Sequence, residues 1–211
     1  MKSILGKILI PSFSIFIAWV ILRFILMTKV RSFFFHNFSF DAAEKILLNH
    51  FFIVLEGFIL FIFYYFFRRN KKIDGFNVCG RNKNSIKIGI AVGVLIFLTT
   101  IPVGLYFGMK ISPYFNLVNG LSNLFSNAAE EVIYRGIIFV AVLSLFRPTW
   151  ISIVISGVAF GLGHWDLPYL FQAYIAVVGA ILALTYVKTK SLVAPYIAHM
   201  IADLLADSFL Q

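Results

Sequence analysis

Residues 46–67 read ILLNHFFIVLEGFILFIFYYFF, twenty-two positions holding one carboxylate, Glu56, and one imidazole, His50, before the basic run RRNKK closes them. As an α-helix rising 1.5 Å per residue, the stretch would be about 33 Å long, enough to cross a hydrocarbon core roughly 30 Å thick. Working outward, six more apolar stretches of this kind occur, at residues 8–27, 86–107, 117–146, 150–164, 169–187 and 192–210. They predict an all-α, polytopic transmembrane helical bundle of about seven spans. The fifth is short and the fourth long, which leaves six or eight spans open. Spanning backbone must satisfy its own hydrogen bonds, and these runs are too long for barrel strands. Residues 1–211 read as a single integral membrane domain with no soluble part.

Composition excludes a water-soluble globule. The 211 residues are 61% hydrophobic and 13% charged, with a mean hydropathy of +0.93; ordinary soluble chains run at roughly 45–50% apolar and about 25% charged. Eighteen basic residues face nine acidic ones, an excess that in a soluble chain would suggest nucleic acid. Its distribution points elsewhere. Arg68, Arg69, Lys71, Lys72, Arg81, Lys83 and Lys87 crowd one loop against a single Asp74, so the loop is predicted to be cytoplasmic. Threading seven spans from it puts twelve basic residues inside and four outside, with Arg23 and Arg135 inside spans. The N-terminus is then inside and the C-terminus outside, and no nucleic-acid partner is implied. The basic start and apolar core of residues 1–27 lack a small-x-small cleavage site, so they read as an uncleaved signal anchor. A lone cysteine, Cys79, excludes an intrachain disulfide and a CxxC zinc ribbon.

Against this apolar background, ionisable residues within spans carry the functional information, since each facing lipid near a helix centre costs about 2.5–3.5 kcal/mol. The fourth span contains NAAEEVIYRGIIF, with Glu130, Glu131 and Arg135. Glu131 and Arg135 are four apart and can pair on one face, which turns Glu130 about 100° away toward another partner. The fifth ends FGLGHWD, with Phe160 and His164 four apart. The last contains APYIAHMIADLLAD, where His199, Asp203 and Asp207 recur every fourth residue. Each segment alone suits an ion-pair network, an interfacial histidine or a hydrogen-bonded His–Asp pair. Together they suit one shared polar pocket, because lipid exposure of Glu130, Glu131, Arg135 and Asp203 would cost on the order of 10 kcal/mol.

The order EEVIYR (EExxxR), FGLGH (FxxxH) and HMIAD (HxxxN/D), each on its own hydrophobic helix, resembles the CPBP family. These are the CAAX-processing and bacteriocin-processing intramembrane endopeptidases, also called the Abi family. The resemblance covers about residues 126–207 as a catalytic core; the first three spans carry none of its motifs. It implies an enzyme of the bacterial cytoplasmic membrane that hydrolyses a peptide bond of a membrane-associated peptide or protein. By the same resemblance Glu130 and His164 would activate water, Glu131 and Arg135 would support the pocket, and His199 with Asp203 would hold the oxyanion. A buried glutamate can act as general base with histidine sharing its proton, and donors aimed at the oxyanion lower the barrier. Glu130, His164 and His199 would equally form a divalent-metal set, zinc for example, with a position left for water, although HExxH is missing. Where some relatives have asparagine, this chain has Asp203, which when ionised cannot donate; it could be protonated, orient His199 or bind metal.

The competing readings are a non-catalytic membrane scaffold of the same fold and a proton-coupled small transporter using Glu130, His164, His199 and Asp203; the lack of paired inverted repeats weighs against the transporter. Glu56 is expected to pair with another helix, Arg23 to snorkel, and His50 to sit at the interface. RSFFFHNFSFDAAEK, residues 31–45, reads as an aromatic interfacial connector. Trp165 and Asp166 would shape the pocket mouth. Pro195 either kinks the last helix or is simply tolerated there.

Overall fold

The computed structural model describes the backbone of residues 2–69, 84–111, 113 and 117–210, and the side chains among them from residue 11 onward. The crowded loop residues Lys71, Lys72, Asp74, Cys79, Arg81 and Lys83, and the side chains of Lys2 and Lys7, lie outside the described residues.

The described chain is helical nearly throughout. α1 (Lys2–Phe24) runs through a π-helical turn (Ile25–Val30) into the seven-residue α2 (Arg31–Asn37), and α3 (Ala42–Arg69) and α4 (Ser85–Tyr106) follow. α5 (Leu117–Glu131) continues through a second π-helical turn (Val132–Ile138) into α6 (Phe139–Phe146), and α7 (Thr149–Leu162), α8 (Tyr169–Thr189) and α9 (Val193–Phe209) complete the bundle. The reversals have local causes. Pro148 and Pro168 stand immediately before α7 and α8, where proline's missing N–H is harmless. Lys190 closes α8 in the left-handed region at φ 52° and donates its N–H to the Tyr186 carbonyl. Pro195 sits in the first turn of α9 and removes no helical hydrogen bond, so of the two readings it is the tolerated proline.

The seven expected apolar stretches each coincide with a helical rod, but the span count is upheld only in part. Among the described residues, four segments are long and apolar enough to cross a membrane: Pro11–Asn37, Ala42–Arg69, Ser85–Tyr106 and Tyr169–Thr189. Thr149–Leu162 is apolar but shorter. The other two rods differ for a physical reason. α5 and α9 carry polar residues that meet each other across the bundle, which lowers their hydropathy, and α9 is only 17 residues long.

Close packing rests on glycine where helices cross. Gly89 and Gly93 of α4 lie against α9, so a Cβ on Gly93 would stand 2.6 Å from the Ala198 carbonyl oxygen. Gly157 and Gly161 of α7 lie against α8 in the same way, with a Cβ on Gly161 at 2.5 Å from the Gln172 carbonyl oxygen. Small residues of this kind let membrane helices approach without a hydrophobic driving force between them. The buried core joins Ile15 and Trp19 of α1, Leu60 and Tyr64 of α3, Tyr134 and Ile137, Phe160 of α7, Leu182 of α8, and Ala198 and Ala202 of α9. Large apolar side chains such as Phe58, Phe66, Phe125 and Trp150 point outward, the surface a bilayer solvates. The aromatic connector is built as a small cluster, with Phe34 stacked on Phe38 and tilted against Phe52 of α3.

Candidate active site

α5 and α9 are joined by a polar zipper. Glu131 Oε1 accepts from His199 Nδ1 at 2.9 Å, Asn127 Nδ2 donates to Asp203 Oδ2 at 2.8 Å, and Asn123 Nδ2 donates to Asp207 Oδ2 at 2.8 Å. Asn119 adds a second amide to Asp207. Each four-residue step up α5 is matched by a four-residue step back along α9, so the helices run antiparallel with these faces in register. The zipper settles the geometry of the α9 stripe: two carboxylates take amide donors and the histidine takes a carboxylate.

Glu131 is the anchor of this end. Its Oε1 also accepts from Arg135 Nη1 at 2.9 Å, the pairing expected from the spacing, and it survives the π-helical turn that begins at Val132. Arg135 donates in addition to the Gly179 carbonyl of α8 at 3.0 Å, and its guanidinium lies over the Phe160 ring at 4.5 Å. Both partners are buried. Such wide turns recur at functional positions in other helices; here one carries Tyr134 and Arg135 just beyond the paired glutamates.

Glu130 points elsewhere, as its rotation requires. It is buried, and among the described residues the one charged side chain within ion-pair distance is His199, whose Nε2 is 3.7 Å from Glu130 Oε2 and 3.4 Å from Asp203 Oδ2. His199 therefore has carboxylates at both ring nitrogens. His164 stands in the turn after α7 with Nδ1 hydrogen-bonded to the Phe160 carbonyl at 2.8 Å. A carbonyl only accepts, so Nδ1 carries a proton, and in the neutral ring Nε2 is the basic nitrogen. Phe160 packs edge-on between the two imidazoles, 5.0 Å from His164 and 5.4 Å from His199. The aromatic of FxxxH is thus the spacer that fixes the histidines relative to each other.

Glu130, His164, His199 and Asp203 all line one cavity of about 360 Å³. Trp165 and Asp166 line it too, as expected, and Asp166 faces Arg31 at 3.8 Å. Two further groups in its wall, Arg23 and His50, stand differently from what the sequence suggests. Arg23 does not snorkel: it is buried, pairs with Glu56 at 2.9 Å and donates from Nε to the Gly163 carbonyl at 3.1 Å. Glu56 does pair with another helix, as expected. His50 is partly buried, with Nδ1 3.3 Å from Ser126 Oγ, and lines the cavity. Asn127 was overlooked, although N-x₃-N-x₃-N-x₃-E over residues 119–131 is visible as a polar stripe with the same period as the stripe on α9.

Among the described residues no group of three or more His, Cys, Asp or Glu side chains comes together to hold a metal ion. His199 Nδ1 is engaged by Glu131, and His164 Nδ1 by the Phe160 carbonyl. Glu130, His164 and His199 are not gathered into such a group among the described residues.

Neither the curated proteins nor the solved structures compared with the chain gave a match. A family model does: residues 112–205 match the Rce1-like family, described as type II CAAX prenyl endopeptidase Rce1-like. That segment contains all three motifs and leaves α1 to α4 outside it. Over residues 112–205, and so over Glu130, Glu131, Arg135, His164, His199 and Asp203, the chain is similar to the Rce1-like CAAX-protease family, the group its three motifs resemble.

Proposed function

We propose that the chain is an intramembrane endopeptidase that hydrolyses a peptide bond of a membrane-associated peptide or protein, with water activated by Glu130 and His164. The observation that carries this reading is the inequality of the two adjacent glutamates. Glu131 is held by Arg135 and His199, whereas Glu130, among the described residues, has only His199 at ion-pair distance and stands in the cavity wall with His164. A carboxylate tied to a guanidinium is a poor proton carrier; one facing imidazoles and a cavity can exchange protons with both.

In this mechanism water lies between Glu130 and His164. Glu130 takes a proton as the water oxygen bonds to the substrate carbonyl carbon. The oxyanion accepts a hydrogen bond from His199 Nε2–H, the ring being doubly protonated between Glu131 and the Glu130–Asp203 side. Collapse breaks the carbon–nitrogen bond, and the proton held by Glu130 passes to the departing amine. Asp203 orients His199 and is itself held by Asn127.

The same reading places the enzyme in a bacterial cytoplasmic membrane with seven spans and the N-terminus inside. α5–α6, α7 and α9 then cross as a group around the cavity. The test is cleavage of an internally quenched, lipid-anchored peptide by membranes carrying equal amounts of wild type, Glu130→Ala, His164→Ala and His199→Ala. Loss in all three supports the proposal, and full activity in all three removes it.

A further inference from the structure

α7 ends at Leu162, and His164 lies beyond the helix in a turn closed by His164 N–H to Gly161 O at 3.1 Å and Leu167 N–H to His164 O at 3.0 Å. The ring's place therefore depends on what holds that turn. The last carbonyls of a helix lack partners within it, and here two are taken by side chains. His164 itself takes the Phe160 carbonyl, and Arg23, arriving from the distant N-terminal helix, takes the Gly163 carbonyl with Nε and Nη2 together. Arg23 is in turn fixed by Glu56 of α3, and both side chains are buried. The neighbouring residues repeat the grip: the Phe24 ring meets the Trp165 ring edge-on at 6.4 Å. On the other side Tyr134 closes against Gly163, where a Cβ would collide with its hydroxyl.

The arrangement duplicates the one around the second imidazole. Arg135 joins Glu131 to the Gly179 carbonyl, and Glu131 orients His199. Arg23 joins Glu56 to the Gly163 carbonyl, and Gly163 precedes His164. We infer that Arg23, held by Glu56, is the positioning residue for His164, so that α1 and α3, both outside the matched segment, complete the site. The inference rests on the endopeptidase reading for its consequence and on geometry alone for its substance.

The test uses the full chain labelled with ¹⁵N-histidine in lipid nanodiscs, its imidazole resonances assigned with single His→Gln variants. Wild type should show His164 with a protonated Nδ1 and a distinct, unprotonated Nε2 when neutral. In the double variant Arg23→Met/Glu56→Met, which strands no charge, that split should be lost for His164 while the His199 resonances stay unchanged. Arg23→Lys, which keeps the charge but not the two-pronged grip on the carbonyl, should broaden His164 in the same selective way. If the double variant does not fold, Arg23→Lys decides alone. Unchanged His164 signals, or equal changes at His164 and His199, overturn the inference. No substrate enters the measurement, so its outcome is independent of whether the chain cleaves peptides.

Discussion

At the residue scale, neighbouring glutamates with one chemical formula should behave as different residues. Glu131→Gln leaves the buried Arg135 without its carboxylate, and breaking a buried pair of this kind costs about 3–5 kcal/mol. It should lower the unfolding temperature in detergent and the amount of folded protein in membranes. Glu130→Gln strands no guanidinium, so folded protein and unfolding temperature should stay near wild type. Asp203→Asn keeps an oxygen to accept from Asn127 and should retain both fold and cleavage, whereas Asn127→Leu, which leaves Asp203 without its amide, should weaken cleavage. Side-by-side unfolding and cleavage assays on the four variants check this. The Glu131–Arg135 pair was legible from spacing alone because both partners lie on one helix. Arg23 was not: its partners Glu56 and Gly163 are 33 and 140 residues away, and near a span end a snorkelling arginine and a buried one look alike.

At the scale of elements, the packing of α4 on α9 sets where His199 stands. A methyl at Gly93 meets the backbone carbonyl of Ala198, which cannot step aside unless α9 moves; a methyl at Gly57 meets the Ala129 side chain at 3.1 Å, where a few tenths of an ångström suffice. Gly93→Ala should therefore cost about 1–3 kcal/mol, in the range of overpacked cores, and reduce cleavage, while Gly57→Ala should cost less. Chemical unfolding in mixed micelles compares them. The rods themselves could be read from hydropathy, and so could the polar stripe on α9. The division of the fourth rod by a π-helical turn could not, since VIYRGII carries no local signal that separates a wide turn from an ordinary one. The partner stripe on α5 was present in the sequence as spaced asparagines, but neutral amides do not stand out at membrane depth as carboxylates do.

At the scale of the whole molecule, the topology proposed from the charge bias is one that the lone cysteine can report. Cys79 lies in the basic loop assigned to the cytoplasmic side, so a membrane-impermeant maleimide should label it in inverted vesicles and leave it unlabelled in intact cells; the opposite pattern reverses the assignment. The motif-bearing helices could be ordered around one pocket from the sequence because exposing their charges to lipid would be expensive. The contribution of α1 and α3 to that pocket needed the fold, since no motif marks them. The central claim is that Glu130 is the group that takes the proton from water. It is tested most directly by cleavage of an internally quenched, lipid-anchored peptide by purified wild type and Glu130→Gln in the same lipid. A fall of about 10²–10⁴-fold, the usual contribution of a positioned acid–base group, with the unfolding temperature unchanged is the outcome predicted, and undiminished cleavage by Glu130→Gln would contradict it.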